Sequence, residues 1–311
     1  MSKVDTVDAL IIGGGPAAYT AALYAGRSGL HPIVIEGYDS GGQITRSERI
    51  DNFPSHPDGI TGSELGERIR EQAIRFGARM VMDEVVEVDF GGGPLSAETA
   101  GGDTYRARGV VIATGARARR LGLPSEEAYD GRGVAWCALC DGPFFAGQRV
   151  VVVGGGDAAA EEALMLSRIA ESVVLVHRRN EFRANALLRE RLAQAPNLQI
   201  RTPHVVEEIL GNDMGVTGVR LRDLSNDSEV TEPVEGVFVA IGHEPASALF
   251  APWLKVDEHG FLITEEGCTA TSVPGVFAAG DVADRRYRQA ITATAAGCQA
   301  AIDLERWLLT H

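Results

Sequence analysis

Cysteine is scarce: 311 residues hold only Cys137, Cys140, Cys268 and Cys298. So few exclude the disulfide framework of a small secreted domain. Structural zinc of the four-cysteine kind wants two close pairs. Cys268 and Cys298 stand far apart, so no metal site is expected. Positive charge is also in deficit, with 29 Lys and Arg against 43 Asp and Glu and a net charge of −14. That balance argues against a nucleic-acid footprint, which needs a basic face, and against docking on anionic lipid. No apolar run approaches the ~20 residues that span a bilayer. The opening Met1-Ser2-Lys3-Val4-Asp5 carries neither a basic leader region nor a small-residue cleavage site, so a cytoplasmic location is expected.

What is present is an ordinary globular composition, 45% hydrophobic and 23% charged, at a length that suggests two domains. Val7-Asp8-Ala9-Leu10-Ile11-Ile12 reads as a buried parallel strand. The turn Gly13-Gly14-Gly15-Pro16-Ala17-Ala18 follows, then a helix through Tyr19, Leu23 and Ala25, then the strand Pro32–Ile35 ending in Glu36. Gly13 suits the tight turn, Gly15 a close approach to a pyrophosphate, and Ala18 close helix–strand packing. The helix N-terminus offers free N–H groups to phosphate, and Glu36 can bond a ribose hydroxyl. Strand, turn, helix and acid together make a dinucleotide site.

The pattern recurs. Arg149–Val153 is a strand, Gly154-Gly155-Gly156-Asp157-Ala158-Ala159 the turn, and Ser172–Val176 the next strand. His177 stands at the register of Glu36, followed by Arg178, Arg179 and Arg183. Arginines there attract a 2′-phosphate that an acid would repel. The first turn therefore suits a dinucleotide with a free ribose and the second suits NADP(H).

Between the turns lies a β-rich stretch ending in Gly109–Gly115, an apolar strand that closes on Ala113-Thr114-Gly115. Gly236–Gly242 is its counterpart. These bounds predict one lobe, residues 117–243, inserted in another made of 1–116 and 244–311. The expected fold is α/β, two Rossmann-like three-layer domains with one inserted in the other. The returning strand Gly275–Ala279 ends in Gly280-Asp281, and an aspartate at a strand's carboxyl end points into the ligand crevice.

Cys137-Ala138-Leu139-Cys140-Asp141-Gly142 falls in the inserted lobe. A C-x-x-C outside a zinc framework is redox-active or metal-binding, and two dinucleotide lobes around it favour redox chemistry. Asp141 can move a proton when a thiolate leaves. Cys298, in a small-residue helix, reads as a core thiol. Cys268 and His243 read as structural.

With these motifs in order, together with Gly41-Gly42-Gln43, Asn52-Phe53-Pro54 and Arg288-Gln289-Ala290, the chain resembles the low-molecular-weight, bacterial-type thioredoxin reductases. These are class II pyridine nucleotide-disulfide oxidoreductases. The resemblance implies a homodimer with one non-covalent FAD per subunit and NADPH as donor. It assigns FAD to Gly13, Gly15, Pro16, Ala17, Glu36, Gly42, Gln43, Asn52, Ala113, Thr114, Gly115, Gly280, Asp281, Arg288, Gln289 and Ala290. NADPH falls to Gly154, Gly156, Asp157, Ala158, His177, Arg178, Arg179 and Arg183. Cys137 and Cys140 become the redox pair and Asp141 the acid. The resemblance also implies rotation of the inserted lobe between half-reactions. Reduction enters at Cys140, and Cys137 attacks thioredoxin or a thioredoxin-like protein.

Two departures stand out. Trp136 occupies a position where the family usually has a small residue, and Ser55-His56 follows Pro54 where glycine is usual. A second reading stays open: a ferredoxin-dependent or dithiol-oxidase flavoprotein with the same FAD–dithiol chemistry.

Overall fold

Alternation along the central strands organises the molecule. A computed structural model describes residues 4–311; Met1–Lys3, part of the segment read above as lacking a leader, lie outside the described residues. The first strand, β1 (Val4–Ile12), sends Ala9 and Ile11 to one face of its sheet and Leu10 and Ile12 to the other, and all four are buried. Burial on both faces is why the sequence shows a continuous apolar run. From there the chain forms α1 (Pro16–Arg27), β2 (Ile33–Ile35), α2 (Gly62–Arg75) and β3 (Arg79–Val81). An antiparallel pair follows, β4 (Val85–Asp89) and β5 (Leu95–Thr99), then β6 (Thr104–Ile112). Thr61 caps α2, its side chain accepting from the Glu64 N–H at 3.2 Å, the usual way to satisfy a first-turn donor.

Compactness divides the chain at Arg117/Ala118 and at His243/Glu244 into two units. The crossing segments are β7 (Ala116–Ala118) and, on the return, β16 below. The second unit starts with α3 (Pro124–Ala128), β8 (Val134–Ala135) and the single turn α4 (Ala138–Asp141). Its nucleotide-type core is β9 (Arg149–Val153), α5 (Asp157–Leu166), β10 (Ser172–Val176), α6 (Ala186–Gln194) and β11 (Leu198–Arg201). A meander follows: β12 (His204–Asn212), β13 (Gly215–Asp223) and β14 (Glu229–Glu232). Last come β15 (Gly236–Val239) and β16 (His243–Pro245). The chain then completes the first unit with β17 (Val276–Ala278) and α7 (Ala290–Thr310).

The parallel cores of the two units share a strand order, though the outermost strand comes last in the first unit's chain and first in the second's. The first has a parallel core ordered β3-β2-β1-β6, with β17 parallel to the second half of β6 and β5 antiparallel to its first half. The second runs β11-β10-β9-β15-β8, all parallel. In the first unit, small residues of α1 (Ala17, Ala18, Ala21) and of α7 (Ala293, Ala300, Ala301) share a core cluster on one face of the sheet. In the second, Val150, Val152, Val173 and Leu175 pack on α5 and α6. Their neighbours Val151, Val153, Val174 and Val176 pack on the meander through Ile209, Val219 and Leu221. Helices, parallel sheet and antiparallel sheet are thus three layers around two cores.

Candidate active site

Gly13 ends β1 in a conformation open to glycine, φ +133°, and a Cβ there would lie 2.2 Å from the Ala113 carbonyl oxygen. The turn therefore folds tightly over the end of β6, and Gly15 begins α1 with Pro16 in its first turn. That leaves the end of α1 free to meet phosphate. Near the same sheet end, Asn52 and Gln289, 237 residues apart, meet through Asn52 Nδ2 and Gln289 Oε1 at 3.4 Å. Gln289 also caps α7 in a reciprocal box with Thr292. Thr114 donates its hydroxyl to the Ala246 carbonyl at 2.7 Å. Gln43 sits exposed in a 3₁₀ turn, Gly42–Arg46.

Asp281 follows β17. Its Oδ1 is buried without a hydrogen-bond partner. Burial, and then repulsion from Asp284, push its carboxyl up to about 6. A buried oxygen with no donor is a costly feature unless a ligand supplies one. Arg288 holds a left-handed backbone, φ +47°, and its N–H donates to Asp284. Glu36 is the contrast: buried, with both oxygens engaged by Arg70 and Tyr19. Burial alone would raise its carboxyl, but the hydrogen bonds from Arg70 and Tyr19 outweigh that and hold it below the usual range. Neither partner carried a signal in the sequence.

In the second unit the turn Gly154–Gly156 folds as closely over the end of β15, a Cβ on Gly154 lying 2.4 Å from the Ala240 carbonyl oxygen. Gly155 lies against the His177 ring, where a Cβ would come within 2.2 Å. His177 is buried and stacked on Phe182, with centroids 5.1 Å apart. Burial chiefly, and also the three nearby arginines, hold its imidazole below the ordinary value. Arg178, Arg179 and Arg183 are all exposed, and none has a carboxylate partner among the described residues. The Arg183 N–H donates to the Gly155 carbonyl at 2.8 Å, which ties the basic segment to the glycine turn. Asp157 serves the fold, since its Oδ1 accepts from the N–H of Asn185, the cap of α6.

Cys137 and Cys140 form a disulfide, Cα–Cα 5.3 Å, across the start of α4. The Cys140 N–H points at Cys137 Sγ at 3.1 Å. Asp141 is next in the chain, and burial pushes its carboxyl up to about 6. Trp136 is partly buried against the valine-rich cluster of the second unit. The Arg120 guanidinium lies 4.6 Å over its ring and is paired with Asp130 at 2.8 Å. Cys298 and Cys268 are half-buried, which corrects the reading of Cys298 as a core thiol: it lies at the edge of the helix contact, against the exposed Tyr24 of α1.

The family model for pyridine nucleotide-disulphide oxidoreductases matches residues 7–297. The chain belongs to that family. Thioredoxin reductase of Mycolicibacterium smegmatis is 49% identical to this oxidoreductase over 309 residues, covering 99% of each chain. A bifunctional thioredoxin reductase/thioredoxin of Mycobacterium leprae (strain TN) is 49% identical over 304 residues. That match takes in 98% of this oxidoreductase and 66% of the relative's length. The solved thioredoxin reductase from Giardia duodenalis superposes with a TM-score of 0.93 at 38% identity, covering 98% of this chain and 99% of that one. The oxidoreductase uses FAD and NADPH. Its residues fit them: the first unit offers a phosphate-ready turn and an orphaned carboxylate oxygen, the second a turn of the same kind flanked by unpaired arginines. No helix among the described residues is long and apolar enough to cross a membrane.

Proposed function

We propose that this oxidoreductase reduces the disulfide of thioredoxin with electrons from NADPH, acting in the cytoplasm as a homodimer. The observation that carries the reading is the Cys137–Cys140 disulfide followed directly by a half-buried, weakly acidic Asp141. The Mycobacterium leprae relative supports the choice of partner, since its name joins reductase and thioredoxin in one protein. The unpaired arginines support NADPH over ferredoxin as donor.

In this reading Gly13, Gly15, Asn52, Asp281 and Gln289 hold FAD on the first unit. Bound there, FAD relays two electrons from the nicotinamide to the disulfide. The Gly154–Gly156 turn and Arg178, Arg179 and Arg183 hold NADPH on the second unit. Both the nicotinamide site and the disulfide belong to that unit and would have to share one flavin. The unit therefore rotates about the segments 116–118 and 243–245 between half-reactions.

Two electrons break the Cys137–Cys140 bond: one proton goes to Cys140, and Cys137 is left as the thiolate. Asp141 supplies one proton and regains it from water. The Cys140 N–H, already directed at Cys137 Sγ, favours the thiolate there. That thiolate attacks the partner disulfide and forms a mixed disulfide, releasing one partner thiolate. Cys140 then attacks Cys137 Sγ, which frees the reduced partner and restores the disulfide. With thioredoxin at about −270 mV the transfer runs downhill when NADPH is abundant.

The test is NADPH oxidation by the purified yellow protein with and without thioredoxin. Turnover that depends on thioredoxin is expected, and Cys140→Ser should abolish it while NADPH still bleaches the flavin. Full turnover by C140S would refute the route through the cysteines.

A further inference from the structure

Glu36 stands where a dinucleotide fold carries the acid that bonds the ribose hydroxyls, yet its oxygens are already in use. Arg70 of α2 donates Nε to Oε2 and Nη2 to Oε1, both at 2.8 Å. The Tyr19 hydroxyl donates to Oε2 at 2.9 Å. A carboxylate has about four acceptor directions. Three are taken, the Ser40 hydroxyl donates a longer bond to Oε2 at 3.5 Å, and the side chain is only 1% exposed. Asp281 makes the comparison, because its Oδ1 is buried with nothing to accept from. One carboxylate lacks a donor and the other does not.

The Tyr19 oxygen has further partners. Fully buried on α1, it accepts the Gly41 N–H at 3.1 Å and bonds the Ser40 hydroxyl at 2.9 Å. Gly41 is the cap of the 3₁₀ turn that carries Gln43. Arg70, Glu36, Tyr19 and Gly41 therefore link α2, the end of β2, α1 and that turn in one buried chain of hydrogen bonds. Such networks fix a geometry when every member is satisfied.

We propose that Glu36 is a positioning residue and not a ribose ligand: with Arg70 and Tyr19 it holds the Gly41–Gln43 turn in place, and the adenosine ribose of FAD binds without it. This rests on the first unit holding FAD. The experiment is reconstitution of apoprotein, followed by flavin fluorescence, with FAD and with an FAD whose adenosine lacks both ribose hydroxyls. The proteins are wild type, Glu36→Gln, Tyr19→Phe and the double variant.

Each single variant should bind FAD about tenfold more weakly, and the double variant no worse than the weaker single one. The loss caused by the hydroxyl-free analogue should be the same factor in wild type and in E36Q. A tenfold loss to the analogue in wild type that vanishes in E36Q would overturn the proposal, by putting the carboxylate on a ribose hydroxyl. So would a Y19F protein that binds FAD within twofold of wild type; this arm keeps the carboxylate and stands even if E36Q does not fold. Wild-type apoprotein that takes up no FAD would instead remove the reading on which the proposal rests.

Discussion

Asp141→Asn should make the protein more stable and less active, and the size of both effects follows from one carboxyl. Burial raises that group from 3.8 to about 6, which corresponds to about 3 kcal/mol. Its partial contact with solvent trims this to about 2 kcal/mol. The sign follows from proton linkage. Between pH 3.8 and about 6 the folded state binds the extra proton, so stability falls as pH rises through that window and stays low above it. The amide has no charge to bury. D141N should therefore exceed wild type by about 2 kcal/mol at pH 8, by about half of that at pH 5, and by nothing below about pH 4. For a unit the size of residues 118–243, that moves a urea midpoint by about 1 M. Urea titrations of the oxidised holoprotein at pH 8 and pH 5 measure it. Thioredoxin-dependent turnover at pH 7 should fall about 10²–10³-fold, since the amide supplies no proton. Equal midpoints at pH 8, a gap that does not shrink at pH 5, or turnover within threefold of wild type would refute the reasoning.

Replacing Arg178 and Arg179 together by Met should raise KM for NADPH about 30–100-fold at low salt and leave KM for NADH within twofold; steady-state kinetics with both nucleotides decide, and equal rises would refute a 2′-phosphate site. Ser55 holds φ +75° without being glycine and is exposed, so Ser55→Gly should gain about 0.5–1 kcal/mol, seen as a rise of about 1–3 °C in Tm. An unchanged or lower Tm would show that the serine is not strained there.

Much of the fold is legible because it is written locally. A strand buried on both faces must be apolar throughout, and a turn that bends over the next strand must be glycine, so β1–α1–β2 and β9–α5–β10 announce themselves. The meander β12–β14 does not. Its outer positions are charged and pair across strands, as Arg220 with Glu208 at 2.7 Å, so a sheet face has the composition of a loop. The candidate site divides along the same line. The Cys137–Asp141 segment and the arginines after β10 are contiguous and readable. Asn52 with Gln289, and Glu36 with Arg70, meet only after the chain has folded, and spacing along the sequence carries no trace of those contacts. Trp136, conspicuous as a bulky neighbour of the redox pair, packs against the second unit's valine cluster with Arg120 over its ring, which its position beside Cys137 gave no reason to expect.

The pairing of β17 with β6 joins Val276 to Val110, with the whole second unit emerging from the ribosome between them. During synthesis the segment 118–243 has all its own strands in hand well before the first unit obtains its last one. Until then β6 waits with part of one edge uncovered, an opening for wrong partners. A chain arrested after residue 243 would thus carry a finished nucleotide module hanging from an unfinished one.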